Sequence, residues 1–174
     1  MQTSGGEKSA FANQLFLPQQ RALYEHWVHL AGADPLPSRA SFHPAQVPDL
    51  LPHLSLLELR PPPHAFHVRL AGSALPRWHG CDITGTTLQC APWESSREYW
   101  RHIIATMAAE RRPMAGVWND AKNEARVHLV LFWLRLPLLG DDGGLILLGL
   151  DMILNTSEAA RHAPHHAGAL PCAG

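Results

Sequence analysis

The stretch from Arg126 to Leu136, RVHLVLFWLRL, narrows the possible folds more than any other part of the chain. Read with a period of two, it places Val127, Leu129, Leu131 and Trp133 on one face and Val130, Phe132 and Leu134 on the other, so it predicts a strand that is apolar on both sides. Such a strand must be covered twice. Gly140-Asp141-Asp142-Gly143-Gly144 follows, and then a second apolar run from Leu145 to Leu154, the pattern of a hairpin. The sheet that holds this hairpin needs helices on one side and a further helix or a second subunit on the other.

The remaining elements follow from local pattern. From Pro18, the segment QQRALYEHWVHLAG spaces Leu23, Trp27 and Leu30 at i, i+4 and i+7, with Pro18 suited to a first helical turn and Gly32 to a C-terminal cap. These three residues mark a cover or dimerisation helix. Residues 1–17 are mixed and uncapped, which predicts a mobile lead-in. Pro35, Pro37, Pro44, Pro48 and Pro52 then deny the chain a helical ladder, leaving a connector with one turn of helix near Asp49 to Leu51. His53 to Leu59 and Ala65 to Ala71 predict two strands joined by a proline turn.

Gly72 to His79 reads as a short helix stopped by Gly80, and Asp82 to Leu88 as a turn leading into another short helical stretch. Between Pro92 and Arg112, Trp93, Trp100, Ile103, Ile104 and Met107 fall on one helical face. Glu94 and Glu98 lie early and Arg111 and Arg112 late, in accord with the helix dipole. Met114 to Asn119 is a third strand, and the tail 156–174 is expected to be disordered. The domain therefore spans 18–155. The expected fold is α+β: a five-stranded antiparallel sheet with strand one beside strand five, helices over one face and the N-terminal helix on the other.

Composition excludes several functions. Fifteen acidic against fourteen basic side chains give a formal charge of −1, which provides no footprint for a nucleic-acid backbone. The longest apolar runs, Leu129 to Leu134 and Leu145 to Leu150, are far shorter than the roughly 20 residues that span a bilayer. Cys81, Cys90 and Cys172 are an odd set without a CxxC pair, and residues 1–20 lack the apolar core of a signal peptide, so a reducing cytoplasmic home is expected. No GxxxxGK[ST] string is present, and GGLILLG leads from a turn into a strand, so no phosphate-binding loop is read.

The strings LYEHWVHLAG, LPSRASFHP, LLPHLSLLEL, FHVRLAGSALPRWHGCDITGTTL and LPLLGDDGGLILLGLDMI resemble, in order and spacing, a bacterial family of short single-domain PAS-like proteins. The resemblance runs from Leu23 to Ile153 and is most specific at FHVRLAGSAL followed by GCDITGTTL. It implies a sensory or regulatory module that binds a small ligand or a protein partner, forms dimers, and passes a conformational bias onward. With no output domain after residue 155, the expectation is a free-standing regulator and not an enzyme.

The expected ligand pocket is lined by Trp78, His79, Trp100, Ile103, Ile104, Met107, His128 and Phe132, with His79, His102 or His128 as the polar groups that orient a ligand or bind a haem iron in an alternative haem-sensor or histidine-dependent enzyme. Core packing is the competing reading for this aromatic stripe. The cofactor is unassigned. His162, His165 and His166 would need a continuous helix to grip a metal, and Pro164 breaks it, so no metal site is assigned. His26 and His29, three residues apart beside Trp27, suggest a pH-dependent contact if that helix pairs with a second copy. Cys81, in Gly80-Cys81-Asp82-Ile83, does not match the reactive-cysteine string of the flavin-binding PAS relatives.

Overall fold

The computed structural model describes residues 9–60, 65–121 and 123–162. The α-helices α1 (Pro18–Ala31), α2 (Pro76–His79), α3 (Arg97–Glu110) and α4 (Thr156–Ala160) accompany strands β1 (Leu54–Leu59), β2 (Phe66–Ala71), β3 (Met114–Trp118), β4 (Leu129–Leu139) and β5 (Leu145–Asn155). Short 3₁₀ turns at Arg39–Ser41, Pro44–Gln46, Pro48–His53 and Ala91–Ser96 fill the proline-rich connectors.

The strands form one antiparallel sheet in the order β2-β1-β5-β4-β3. The first strand lies beside the last, as expected. The long β4–β5 ladder runs from Leu129 opposite Asn155 to Leu139 opposite Leu145, and its turn is closed by Gly140 and Gly143, the latter at φ 78° where only glycine sits without strain.

Alternation divides the core in two. Phe132, Leu134, Leu136 and Leu138 of β4 and Leu148, Leu150 and Met152 of β5 face α1, where they meet Leu23, Tyr24 and Trp27. Leu129, Leu131 and Trp133 with Leu147 and Ile153 face α2 and α3, where they meet Trp78, Trp93, Trp100, Ile103, Ile104 and Met107. Each face of β4 is covered, as a strand apolar on both sides requires.

Four expectations are corrected. Packing begins before Pro18: residues 9–12 are helical, and Leu15 and Leu17 are buried. Gln20 holds them, its side-chain oxygen accepting from the Phe16 and Leu17 amides at 3.2 Å while its Nε2 donates to the Trp133 carbonyl at 3.2 Å. The tail does not begin at 156, because Asn155 and Glu158 cap α4 reciprocally, at 2.8 and 2.9 Å, and Ala159 is buried; residues 163–174 lie outside the described set.

The helical stretch expected from Pro92 is a 3₁₀ helix, Ala91–Ser96, that becomes α-helical only at Arg97. β4 starts at Leu129, since Arg126 turns aside to pair with Asp120, and it runs on to Leu139 through Pro137. Pro137 is tolerated there because β4 has outrun β3, which ends opposite Arg135; its carbonyl accepts from Trp27 Nε1 at 2.8 Å.

Candidate functional site

Of the eight residues expected to line a pocket, six come together on the α3 side of the sheet. Trp78, Trp100, Ile103, Ile104 and Met107 are buried there, and His79 sets its ring against Trp93 with centroids 4.5 Å apart. Phe132 is on the opposite face, edge-on to Phe16 at 5.9 Å, because an even-numbered residue of β4 cannot share a face with Trp133. His128 and His102 are exposed, the first ahead of β4 and the second on the outer side of α3. The three histidines considered as ligand or iron partners therefore do not converge. Leu23 and Trp27 of α1 are buried against their own sheet, with Leu30 packed at the margin, so this stripe is engaged within one chain.

The six collected residues belong to a continuous aromatic cluster. Trp93 meets Trp100 at 6.3 Å, Trp100 meets Trp133 at 5.3 Å, and Tyr99 meets Trp118 at 4.3 Å. Trp133 Nε1 donates to the Tyr99 hydroxyl at 2.9 Å, and Trp93 Nε1 to Thr86 Oγ1 at 3.1 Å, so these indoles are polar-satisfied as well as packed.

Within this cluster lies the feature that sequence reasoning missed. Arg135, 1% exposed, extends over the sheet and donates from Nη2 to both oxygens of Asp151, at 2.9 and 3.1 Å, and from Nη1 to the Leu134 carbonyl at 3.0 Å. Its guanidinium stands 4.7 Å from the centre of the Trp100 ring. Strand register explains the meeting: Arg135 pairs with Gly149, and Asp151, two residues along β5, points to the same face.

Gly149 is required by the close approach, since a Cβ there would fall 2.3 Å from Ser55 Oγ and 3.0 Å from Arg135 Nη1. Burial pushes the Asp151 carboxyl up from its ordinary range, and the charge and hydrogen bonds of Arg135, with His53 nearby, oppose that rise. Arg135 Nε and Ser55 Oγ are buried without a hydrogen-bond partner. The signal was present in the sequence: one arginine and one aspartate, each alone in an apolar strand and both at odd positions, brought to the same face by the Gly140–Gly144 turn.

A second, partly buried pair closes the end of the cluster. Arg126 Nη2 bonds Asp120 at 2.9 Å and Ser95 Oγ at 3.1 Å, Nη1 donates to the Trp78 carbonyl at 3.1 Å, and the guanidinium lies 5.2 Å from the Trp78 ring. His79 is pushed down to about 4, first by burial and then by the nearby charges of Arg126 and Arg135, against a hydrogen bond to the Pro92 carbonyl. It is neutral at pH 7. Among the described residues no group of three or more His, Cys, Asp or Glu side chains converges on a metal-sized site; His165, His166 and Cys172 lie outside them. No described helix is long and apolar enough to cross a membrane.

No curated protein matches the chain significantly. A family model for the PAS domain does match, over residues 15–151. Its start coincides with the first buried leucine, and its end takes in both members of the Arg135–Asp151 pair. With the sheet order, the roofing helices and a match to well over half of the sequence in agreement, the chain belongs to the PAS domain family.

Proposed function

We propose that this PAS domain is a sensory or regulatory module that works by contact with a protein partner, with its α3-side interior acting as a packed body and not as an open ligand chamber. One observation carries this reading: six of the side chains expected to line a pocket are packed together, Trp100 meeting Trp93 and Trp133 edge to face at 6.3 and 5.3 Å with Met107 wholly buried in the same core. One buried ion pair, Arg135–Asp151, and one partly buried pair, Arg126–Asp120, pin the same region, so opening it would expose charges that now neutralise each other. The module has no catalytic role in this proposal, because its buried charges are paired with one another and its histidines do not converge on a cleft.

A second reading has one observation in its favour. Arg135 Nε and Ser55 Oγ are unpaired on the face where PAS domains take ligands, and a small polar molecule could satisfy both. Native mass spectrometry of gently purified protein separates the two. The packed-body reading expects the mass of the polypeptide, or of its oligomer, with no adduct that depends on this face. A stoichiometric small molecule retained by the protein and lost in a folded Ser55→Ala variant would overturn it in favour of the second.

A further inference from the structure

The α1 side of the molecule carries a feature that neither the aromatic cluster nor the ion pairs use. A cavity of about 580 Å³ opens between residues 10–14, α1 and the turn joining α3 to β3, a size typical of small-molecule sites. Three aromatic side chains, Phe11, Tyr24 and Trp27, form part of its wall. Phe11 lies 4.9 Å from Tyr24, and Tyr24 stacks on Trp27 at 5.9 Å with 15° between the rings. Trp27 Nε1 is already engaged by the Pro137 carbonyl, so this indole adds apolar surface to the wall.

Two cations line the same cavity. Arg112 is paired with Glu110, whereas Arg111 has no ion-pair partner among the described residues. Arg111 also ends α3 in left-handed backbone, at φ 50° and ψ 39°, with its amide donating to the Met107 carbonyl at 2.9 Å. Glycine is the usual residue in that position, since a side chain there is strained. Here the strained position places an exposed arginine at the rim of a cavity that Phe11, Tyr24 and Trp27 also line, and strain of this kind gathers at ligand sites.

A partly aromatic cavity lined by a guanidinium without an ion-pair partner among the described residues is complementary to a flat, apolar molecule bearing one anionic group: the body leaves water, and the carboxylate meets a planar fork of donors. We infer that this cavity binds a small amphipathic carboxylate, with Arg111 as its anion partner, on the face of the sheet opposite the aromatic cluster. The inference stands apart from the function proposed above, because it requires no opening of the α3-side interior.

Calorimetric titration of the full chain with naphthalene-2-carboxylate and with its neutral twin, naphthalene-2-methanol, tests it. The carboxylate is expected to bind saturably and the alcohol at least tenfold more weakly. Arg111→Gly should erase that preference while the thermal midpoint stays equal or rises, because glycine relieves the left-handed backbone. Absence of carboxylate binding, equal binding of the two twins, or unchanged carboxylate affinity in Arg111→Gly would each overturn the inference.

Discussion

The two faces of one sheet are built on different chemistry. The α1 face is a leucine-rich core in which the buried polar side chain, Gln20, finds a partner for both ends of its amide. The α3 face holds five of the six tryptophans together with the buried charges Arg135, Asp151 and Asp120. Leucine packs by shape alone and can be exchanged for neighbours of similar volume. Ion pairs enclosed by indole rings have no such freedom, since each charge depends on its partner for the solvation it has lost. The comparison teaches that the α1 face supplies cohesion and the α3 face supplies a single, specified arrangement.

The largest test of this contrast removes one charge. Asp151→Ala leaves Arg135 buried and uncompensated and should cost about 3–5 kcal/mol in urea unfolding, whereas the double variant Arg135→Met with Asp151→Leu should recover most of that loss. Leu148→Ala on the α1 face should cost about 2–5 kcal/mol, with no rescue by a change at a distant site. Equal, additive losses on both faces would erase the distinction.

Next in size is the response to acid. His79 has a folded pKa of about 4 against about 6.5 unfolded, so the unfolded chain binds the extra proton between these values. The contribution is present above pH 6.5 and is lost as pH falls through about 4, amounting to at most about 3 kcal/mol and less in proportion to the ring's partial exposure. His79→Phe should flatten the fall in the urea midpoint between pH 7 and pH 4.5. An unchanged slope would remove His79 from the account; the lowered His26 acts in the same direction in both proteins and cancels in the difference.

Smaller still, Gln20→Ala should cost about 1–2 kcal/mol and speed amide exchange at Phe16 and Leu17, which lose their acceptor. The α3-side ion pairs should not respond. The smallest effect is a gain: Arg111→Gly should raise stability by about 0.5–1 kcal/mol in thermal unfolding, because it exchanges a left-handed arginine for the residue suited to that backbone.

Much of this architecture was legible before any coordinates. The two-faced run ending at Leu136, the Gly140–Gly144 turn and the Trp100 to Met107 stripe each report a local period, and local periods survive translation into structure. The ends were read less well. Asn155-Thr156-Ser157-Glu158 contains its own capping signal and is legible locally, whereas nothing at Leu15 and Leu17 announces that Gln20 binds their segment to a strand more than a hundred residues away. The site was half legible. Helical spacing collects Trp100, Ile103, Ile104 and Met107, while strand alternation sets Phe132 on the face opposite Trp133 and outside that group.

What the sequence alone determined is the set of elements, the pairing of the last two strands and the need to cover both of their faces, because these depend on residues a few positions apart. What the tertiary structure decided is which polar atoms meet: Arg135 with Asp151 beneath Trp100, Arg126 with Asp120 beside Trp78, and Arg111 at a cavity formed with Phe11 and Trp27. The physical reason is one of range. Periodicity states which side of an element avoids water, but the partner of a buried charge is chosen by register and by how closely a neighbouring backbone can approach, as at Gly149, and both are properties of the assembled sheet.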